Sequence, residues 1–182
     1  MMMKIALLAD IHGCLPALAR VLAHLERRAP DHIVLLGDLL NHGPRNPVPE
    51  GYQPAAVADR LNERAGQMIA VRGNCDSEVD QMLLRFPCTA PYNQMLVDGR
   101  RWFVTHGHLY RPDEVSLPDG SLYISGHTHV PQLESQGTRV RLNPGSITFP
   151  RGEWPASFGW YEEGRMQILE VASGDVIAEL VL

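Results

Sequence analysis

Short apolar runs and one amphipathic repeat alternate along the first seventy residues, and their periods tell them apart. Met3 to Ala9 and Ile33 to Leu36 are mostly unbroken apolar stretches, the pattern of strands covered on both faces in a parallel sheet. Between them Leu15, Leu18, Leu22 and Leu25 recur at intervals of three, four and three, with Arg20, Glu26, Arg27 and Arg28 on the opposite side. This spacing predicts a helix with Pro16 in its first turn. It ends near Ala29-Pro30. A strand, a helix and a strand in so short a span form a βαβ unit, which crosses over right-handed.

A third apolar run, Met68 to Val71, follows a predicted helix from Pro54 to Arg64 with Ala55, Val57, Ala58 and Leu61 as its buried side. Ser77 is placed to cap a short helix reaching about Leu84. After Pro87 the pattern becomes that of hairpins. Met95 to Val97 and Trp102 to Val104 flank Asp98-Gly99, a strong two-residue turn signal. Leu122 to Ser125 is a further strand, and Gln132 to Ser135 and Arg139 to Leu142 alternate around Gly137. Phe158 to Tyr161, Met166 to Val171 and Val176 to Val181 predict antiparallel strands turning at Glu163-Gly164 and Gly174-Asp175. The sum is two sheets face to face with helices outside.

At 182 residues, without an internal repeat or a linker, the chain is expected to form a single domain over 1–182. Its formal charge of −5 offers no basic footprint for a long nucleic acid. No apolar run approaches the roughly 20 residues of a membrane span, and no cleavable leader opens the chain. The expectation is a cytoplasmic protein. Cys14, Cys75 and Cys88 show no paired spacing and read as reduced thiols, with Cys14 and Cys88 as small buried hydrophobes.

What changes the picture is how the apolar runs end. Asp10 and His12 follow the first, Asp38 the second, Asn74 the third, His106 the hairpin's second strand, and His127 and His129 the next. One such residue is ordinarily a turn former. Five strand ends in succession carrying ligand residue types, most beside a glycine, point instead to cations held at one sheet edge, where open α/β sheets bind ligands. Asp38 is the centre of this expectation, because a carboxylate has two oxygens and can bridge two cations. Mixed nitrogen and oxygen donors suit manganese, iron, nickel or zinc better than calcium.

The order D-x-H, G-D, G-N-x-D, H-G-H and G-H-T-H, from Lys4 to about Ser146, resembles the signature of the calcineurin-like metallophosphoesterases. The stretches Gly43-Pro44-Arg45-Asn46, Val71 to Asp76 and Ser77 to Met82 are similar to the small bacterial phosphodiesterases of the YfcE type. The resemblance implies an α/β four-layer sandwich of two mixed β-sheets flanked by helices. It implies that Asp10, His12, Asp38 and His129 surround one divalent cation and Asp38, Asn74, His106 and His127 a second, with manganese the metal it favours. The implied reaction is hydrolysis of a small phosphodiester by in-line attack of a hydroxide bridging the two cations, the catalytic roles falling to Asp38, Asn74 and His106. Two cations roughly 3.5–4 Å apart serve this chemistry by activating water and neutralising phosphoryl oxygens.

Other polar residues at the same edge are candidates for substrate contacts. Arg72 has the fork geometry for a phosphate, and His42, His108 and Cys75 stand in the adjoining loops. Asn143 is expected either to orient a ligand histidine or to cap a turn. Cys75 stands where many phosphatases of the superfamily carry a histidine that protonates the leaving oxygen, and this departure favours substrates with acidic leaving groups. Two other functions fit the same fold. A protein-binding scaffold, as in a retromer subunit of eukaryotes, would be expected to have lost a ligand, and all seven positions here carry ligand types. A nuclease or nucleoside polyphosphate hydrolase is disfavoured by the acidic chain and the lack of a large capping domain. The partners expected are thus a small phosphodiester and neither long nucleic acid nor membrane, with a homo-oligomer left open.

Overall fold

A computed structural model describes residues 3–182. Strand β1 (Lys4–Leu8) leads through helix α1 (Leu15–Arg28) to β2 (His32–Leu35), paired in parallel with Ile5 opposite His32 and Leu8 opposite Leu35. Helix α1 stops because Ala29 turns into the left-handed region at φ 51° and Pro30 follows. Helix α2 (Pro54–Asn62) and a 3₁₀ turn over Ala65–Gln67 precede β3 (Met68–Ala70), which pairs in parallel with β2. The short helix α3 (Glu78–Leu83) begins after Ser77, whose backbone N–H donates to the Asp80 carboxylate at 2.6 Å.

The rest is β structure. Strands β4 (Tyr92–Val97) and β5 (Arg100–Thr105) form the expected hairpin, with Asp98 at φ 47° and Gly99 at φ 78°. These two positive angles make a turn whose twist matches the strands. Then come β6 (Leu122–Ile124), β7 (Gln132–Gln136), β8 (Arg139–Asn143), β9 (Ser157–Glu162), β10 (Arg165–Glu170) and β11 (Val176–Val181). They assemble into a six-stranded sheet of order β11-β10-β9-β1-β2-β3 and a five-stranded sheet of order β4-β5-β6-β8-β7. Both sheets are mixed, since β1, β2 and β3 run parallel, as do β5, β6 and β8, while the outer pairings are antiparallel.

Alternation along the strands divides the core into layers. Ala6, Leu8, Ile33 and Leu35 point to the helix side, against Leu18, Leu22, Leu25, Val57 and Leu61. Ile5, Leu7, Val34 and Leu36 point the other way, against Trp102, Val104, Leu122, Ile124 and Leu142 of the second sheet. The outer face of that second sheet differs in detail from the expected flanking by helices. Phe103 and Tyr123 are covered there by Tyr110, Val115 and Leu117 from the segment between β5 and β6. This segment carries Pro112 and Pro118, and it covers the sheet as irregular chain.

Candidate metal centre

All five predicted strand ends meet. Strands β1, β2 and β3 of one sheet and β5 and β6 of the other finish at the same edge, and the seven candidate ligands follow them directly. Asp10, His12, Asp38, His127 and His129 hold φ angles of 56°, 48°, 54°, 69° and 61°. Left-handed backbone is uncommon for residues other than glycine, least so for Asp, Asn and His. Five ligand candidates in that region mark strained backbone gathered at one place, as functional sites often show.

The first group closes around Asp10 Oδ1. That oxygen is buried and has no hydrogen-bond partner. It lies 3.3 Å from His129 Nε2 and 3.8 Å from His12 Nε2, and the two histidine nitrogens are 3.4 Å apart. His12 Nδ1 meets the Asn41 carbonyl at 2.9 Å and His129 Nδ1 the Phe149 carbonyl at 2.8 Å. A carbonyl can only accept, so each Nδ1 is assigned the ring proton and each Nε2 a lone pair. Burial, the largest influence, holds His12 below its ordinary pKa. Two lone pairs and an orphaned carboxylate oxygen facing one another repel, and a cation among them resolves the conflict. Bonds of about 2.0–2.2 Å to one cation set neighbouring donors about 2.8–3.6 Å apart, close to the spacings found.

The second group repeats the design. His106 Nδ1 meets the Leu36 carbonyl at 2.6 Å, leaving Nε2 to face Asn74 Oδ1 at 3.1 Å, His127 Nδ1 at 3.2 Å and Asp38 Oδ2 at 3.5 Å. Burial opposes a charge on His106, but the Asp38 carboxylate outweighs it and lifts the ring to about 9. Asp38 moves the opposite way: burial would raise it, and His106 more than offsets this, holding the carboxyl well below the usual range. Asp38 Oδ2 is also 3.8 Å from His12 Nε2, so one oxygen borders both groups. Asp38 Oδ1 is spent on the Cys75 backbone N–H at 2.8 Å.

Two loops are locked together beneath Asp38. A Cβ placed on Gly73 would fall 2.1 Å from Asp38 Oδ1, so only glycine allows the approach. The buried Asp76 carboxylate takes the N–H groups of Asp38, Leu39 and Gly73 at 2.8, 2.8 and 2.7 Å. Sequence reasoning gave Asp76 no role, although its place in G-N-x-D was a signal.

The remaining candidates divide. Cys75 lines a cavity of about 340 Å³ with Asp38, Asn74, His127 and His129. Its thiol, 3.2 Å from Asn74 Nδ2, is pushed up to about 12 by burial and then by the Asp38 charge, which keeps it neutral. Arg72 and His108 instead line a neighbouring hollow of about 400 Å³. Arg72 Nε donates to the Asp76 carbonyl at 3.1 Å and its head group lies 3.4 Å from Glu78, so it is engaged within its own loop. His108 stacks edge-on to His106 at 5.3 Å. The His42 ring packs on Tyr52 at 5.3 Å. Asn143 does not reach a ligand histidine: its amide N–H groups donate to the Gly126 carbonyl and Thr128 hydroxyl, and its oxygen takes the Gly145 N–H. It positions the loop that carries His127 and His129. Cys14 and Cys88 are buried, as expected.

Arg45, Asn46, Thr128 and Arg151 also line the 340 Å³ cavity. Sequence reasoning had set none of them in the site, though Arg45 and Asn46 lay in a stretch already noted. Burial and then His106 hold His127 below its ordinary pKa, and Arg45 contributes in the same direction.

Residues 3–164 match the calcineurin-like phosphoesterase superfamily domain. The chain is 48% identical over 182 residues to the phosphodiesterase YfcE of Escherichia coli strain K12, covering 100% of this chain and 99% of that protein. A solved structure of YfcE, a phosphoesterase from E. coli, is similar with a TM-score of 0.96, covering 98% of this chain and 99% of that one. Vacuolar Protein Sorting 29 from Cryptosporidium parvum shares the fold at a TM-score of 0.69 and 15% identity, over 100% of this chain and 99% of the other.

Proposed function

Because the chain belongs to the calcineurin-like phosphoesterase superfamily, we propose that it is a metal-dependent phosphodiesterase, acting as one domain on small phosphodiesters in the cytoplasm. Among the described residues no helix is long and apolar enough to cross a membrane. Asp10, His12, Asp38 and His129 would hold one divalent cation and Asp38, Asn74, His106 and His127 the other. The observation that carries this reading is the position of Asp38 Oδ2, 3.8 Å from His12 Nε2 and 3.5 Å from His106 Nε2. Manganese is the metal favoured, and the donor set alone also suits iron, nickel or zinc.

When bound, two such cations lower the pKa of water and offset charge on the phosphoryl oxygens. The chain's own residues set the stage for that chemistry. The carbonyls of Asn41, Phe149 and Leu36 fix His12, His129 and His106 with their Nε2 lone pairs turned inward. Asp76 and Gly73 set the height of Asp38. Cys75, neutral at its pKa of about 12, can donate only weakly to a departing oxygen, which favours acidic leaving groups. Likeness to a phosphodiesterase at 48% identity over the whole chain supports an enzyme, as does a ligand type at every one of the seven positions. Hydrolysis of bis(4-nitrophenyl) phosphate, lost on chelation and restored by manganese, tests the reading. Full activity after verified metal removal would refute it.

A further inference from the structure

Arg45 and Arg151 reach the same cavity from loops far apart in the chain. Arg45 sits in the turn closed by the Asn46 N–H donating to the Gly43 carbonyl at 3.3 Å, with Asn46 Nδ2 bound to the His42 carbonyl at 2.8 Å. The backbone N–H of Arg151 donates to the carbonyl of His129 at 3.2 Å. Arg151 is therefore tied through its backbone to His129, a candidate ligand, while Arg45 is held by its own turn. Both are exposed, and neither has a carboxylate within ion-pair distance among the described residues. Of the fifteen arginines only Arg60, Arg72 and Arg165 lie against a glutamate among the described residues, so what sets Arg45 and Arg151 apart is their shared place on one cavity. In a chain whose net charge is −5, two unpaired guanidinium groups in one hollow are not a consequence of surplus base.

Charge balance says what they await. Two divalent cations, when bound, would be matched by Asp10, Asp38, a deprotonated water and the single charge of a phosphodiester. Nothing in that set neutralises the two arginines, and like charges gathered in a concave site raise its potential for an anion. We propose that Arg45 and Arg151 form a subsite for a second anionic group, so that the preferred substrates are phosphodiesters bearing a phosphate or carboxylate on one ester arm. This rests on the phosphodiesterase reading and narrows its substrate class. Guanidinium forks bind either group through paired N–H donors, and Asn46 and Thr128 add neutral polar contacts on the same wall.

The test is calorimetric binding of three probes to manganese-loaded protein: propylphosphonate, 3-phosphonopropionate and propane-1,3-diphosphonate. They share one phosphonate and differ in the far group, and the tighter of the two anionic probes tells carboxylate from phosphate. Wild type should prefer an anionic probe over propylphosphonate by about tenfold or more, the range of a charge-assisted hydrogen bond. Arg45→Gln and Arg151→Gln should each reduce that preference, and the double variant should bring it near unity. Arg45→Lys should retain part of it, and Arg151→Glu should turn it toward propylphosphonate, whose far group is uncharged. Equal binding of all three by wild type, or a preference that survives in the double variant, overturns the proposal. Hydrolysis of bis(4-nitrophenyl) phosphate by the wild type decides separately whether the phosphodiesterase reading stands.

Discussion

The backbone N–H of Asp38 donates to Asp76 Oδ2 at 2.8 Å, and the same oxygen takes the N–H of Gly73 at 2.7 Å. One carboxylate thus fastens the loop of Asp38 to the loop of Asn74, and its other oxygen takes the Leu39 N–H. Burial, the largest influence, lifts Asp76 to about 6, and the three donors act against it. In Asp76→Asn one of the two acceptors becomes an NH₂ group that meets an N–H head-on. A loss of about 1–3 kcal/mol is expected for the buried donor left unpaired, read from urea unfolding of the metal-free protein, together with weaker metal retention. Unchanged unfolding would mean that Asp76 does not hold these loops.

Gly73→Ala should damage the site more than the fold. The added methyl would meet Asp38 Oδ1 and the Asp38 nitrogen at 2.1 and 2.3 Å, so the Asp38 carboxylate has to move. Metal content after dialysis should fall while the circular dichroism spectrum persists. Gly66→Ala is the control, since nothing lies within 4 Å of its added carbon. Equal metal retention in the two variants would remove Gly73 from the account.

Metal uptake should release a proton. His106, at about 9 in the metal-free chain, is protonated at neutral pH, and a ligand nitrogen has to be bare. Below that pKa the cation competes with the proton, so affinity should rise about tenfold per pH unit and level off as pH passes about 9. Calorimetry in buffers of different ionisation enthalpy measures the proton directly. No proton released near pH 7 would show that His106 is already neutral or is not a ligand.

Cys75 supplies a further check on the cavity. A thiol pushed up to about 12 is almost wholly protonated at pH 8, and alkylation of the native metal-free protein at Cys75 should be slow relative to a free thiol. Cys75→Ala should leave turnover nearly unchanged, and Cys75→His should help most on substrates whose leaving group has a high pKa, by at most about 10²–10⁴-fold. The readout is turnover against leaving-group pKa. A steep loss in Cys75→Ala would show that the thiol already takes part, and an unchanged slope in Cys75→His would show that the position does not reach the leaving group.

Much of this site was legible in the sequence, because strands with a period of two deliver their last residues to a common edge and ligand types stood at all five ends. The ligand backbone was not legible. Left-handed φ at Asp10, His12, Asp38, His127 and His129 comes from tertiary packing of the two sheets, which no local propensity encodes. The carbonyls of Leu36, Asn41 and Phe149 that orient the rings have no side-chain signature at all. Arg72, a candidate for a phosphate contact, lies 3.4 Å from Glu78, whereas Arg45 and Arg151, which were not singled out for the site, line the cavity. An arginine beside a strand end and one in a proline-rich loop look alike until the loop's path is known.

With two cations bound, one oxygen of Asp38 would be shared by both. Anomalous-difference maps from crystals soaked in manganese test it most directly. Two peaks about 3.5–4 Å apart are expected, one among Asp10, His12 and His129 and the other among Asn74, His106 and His127, with Asp38 Oδ2 between them. A single peak, or two peaks of which only one touches Asp38, would contradict the account.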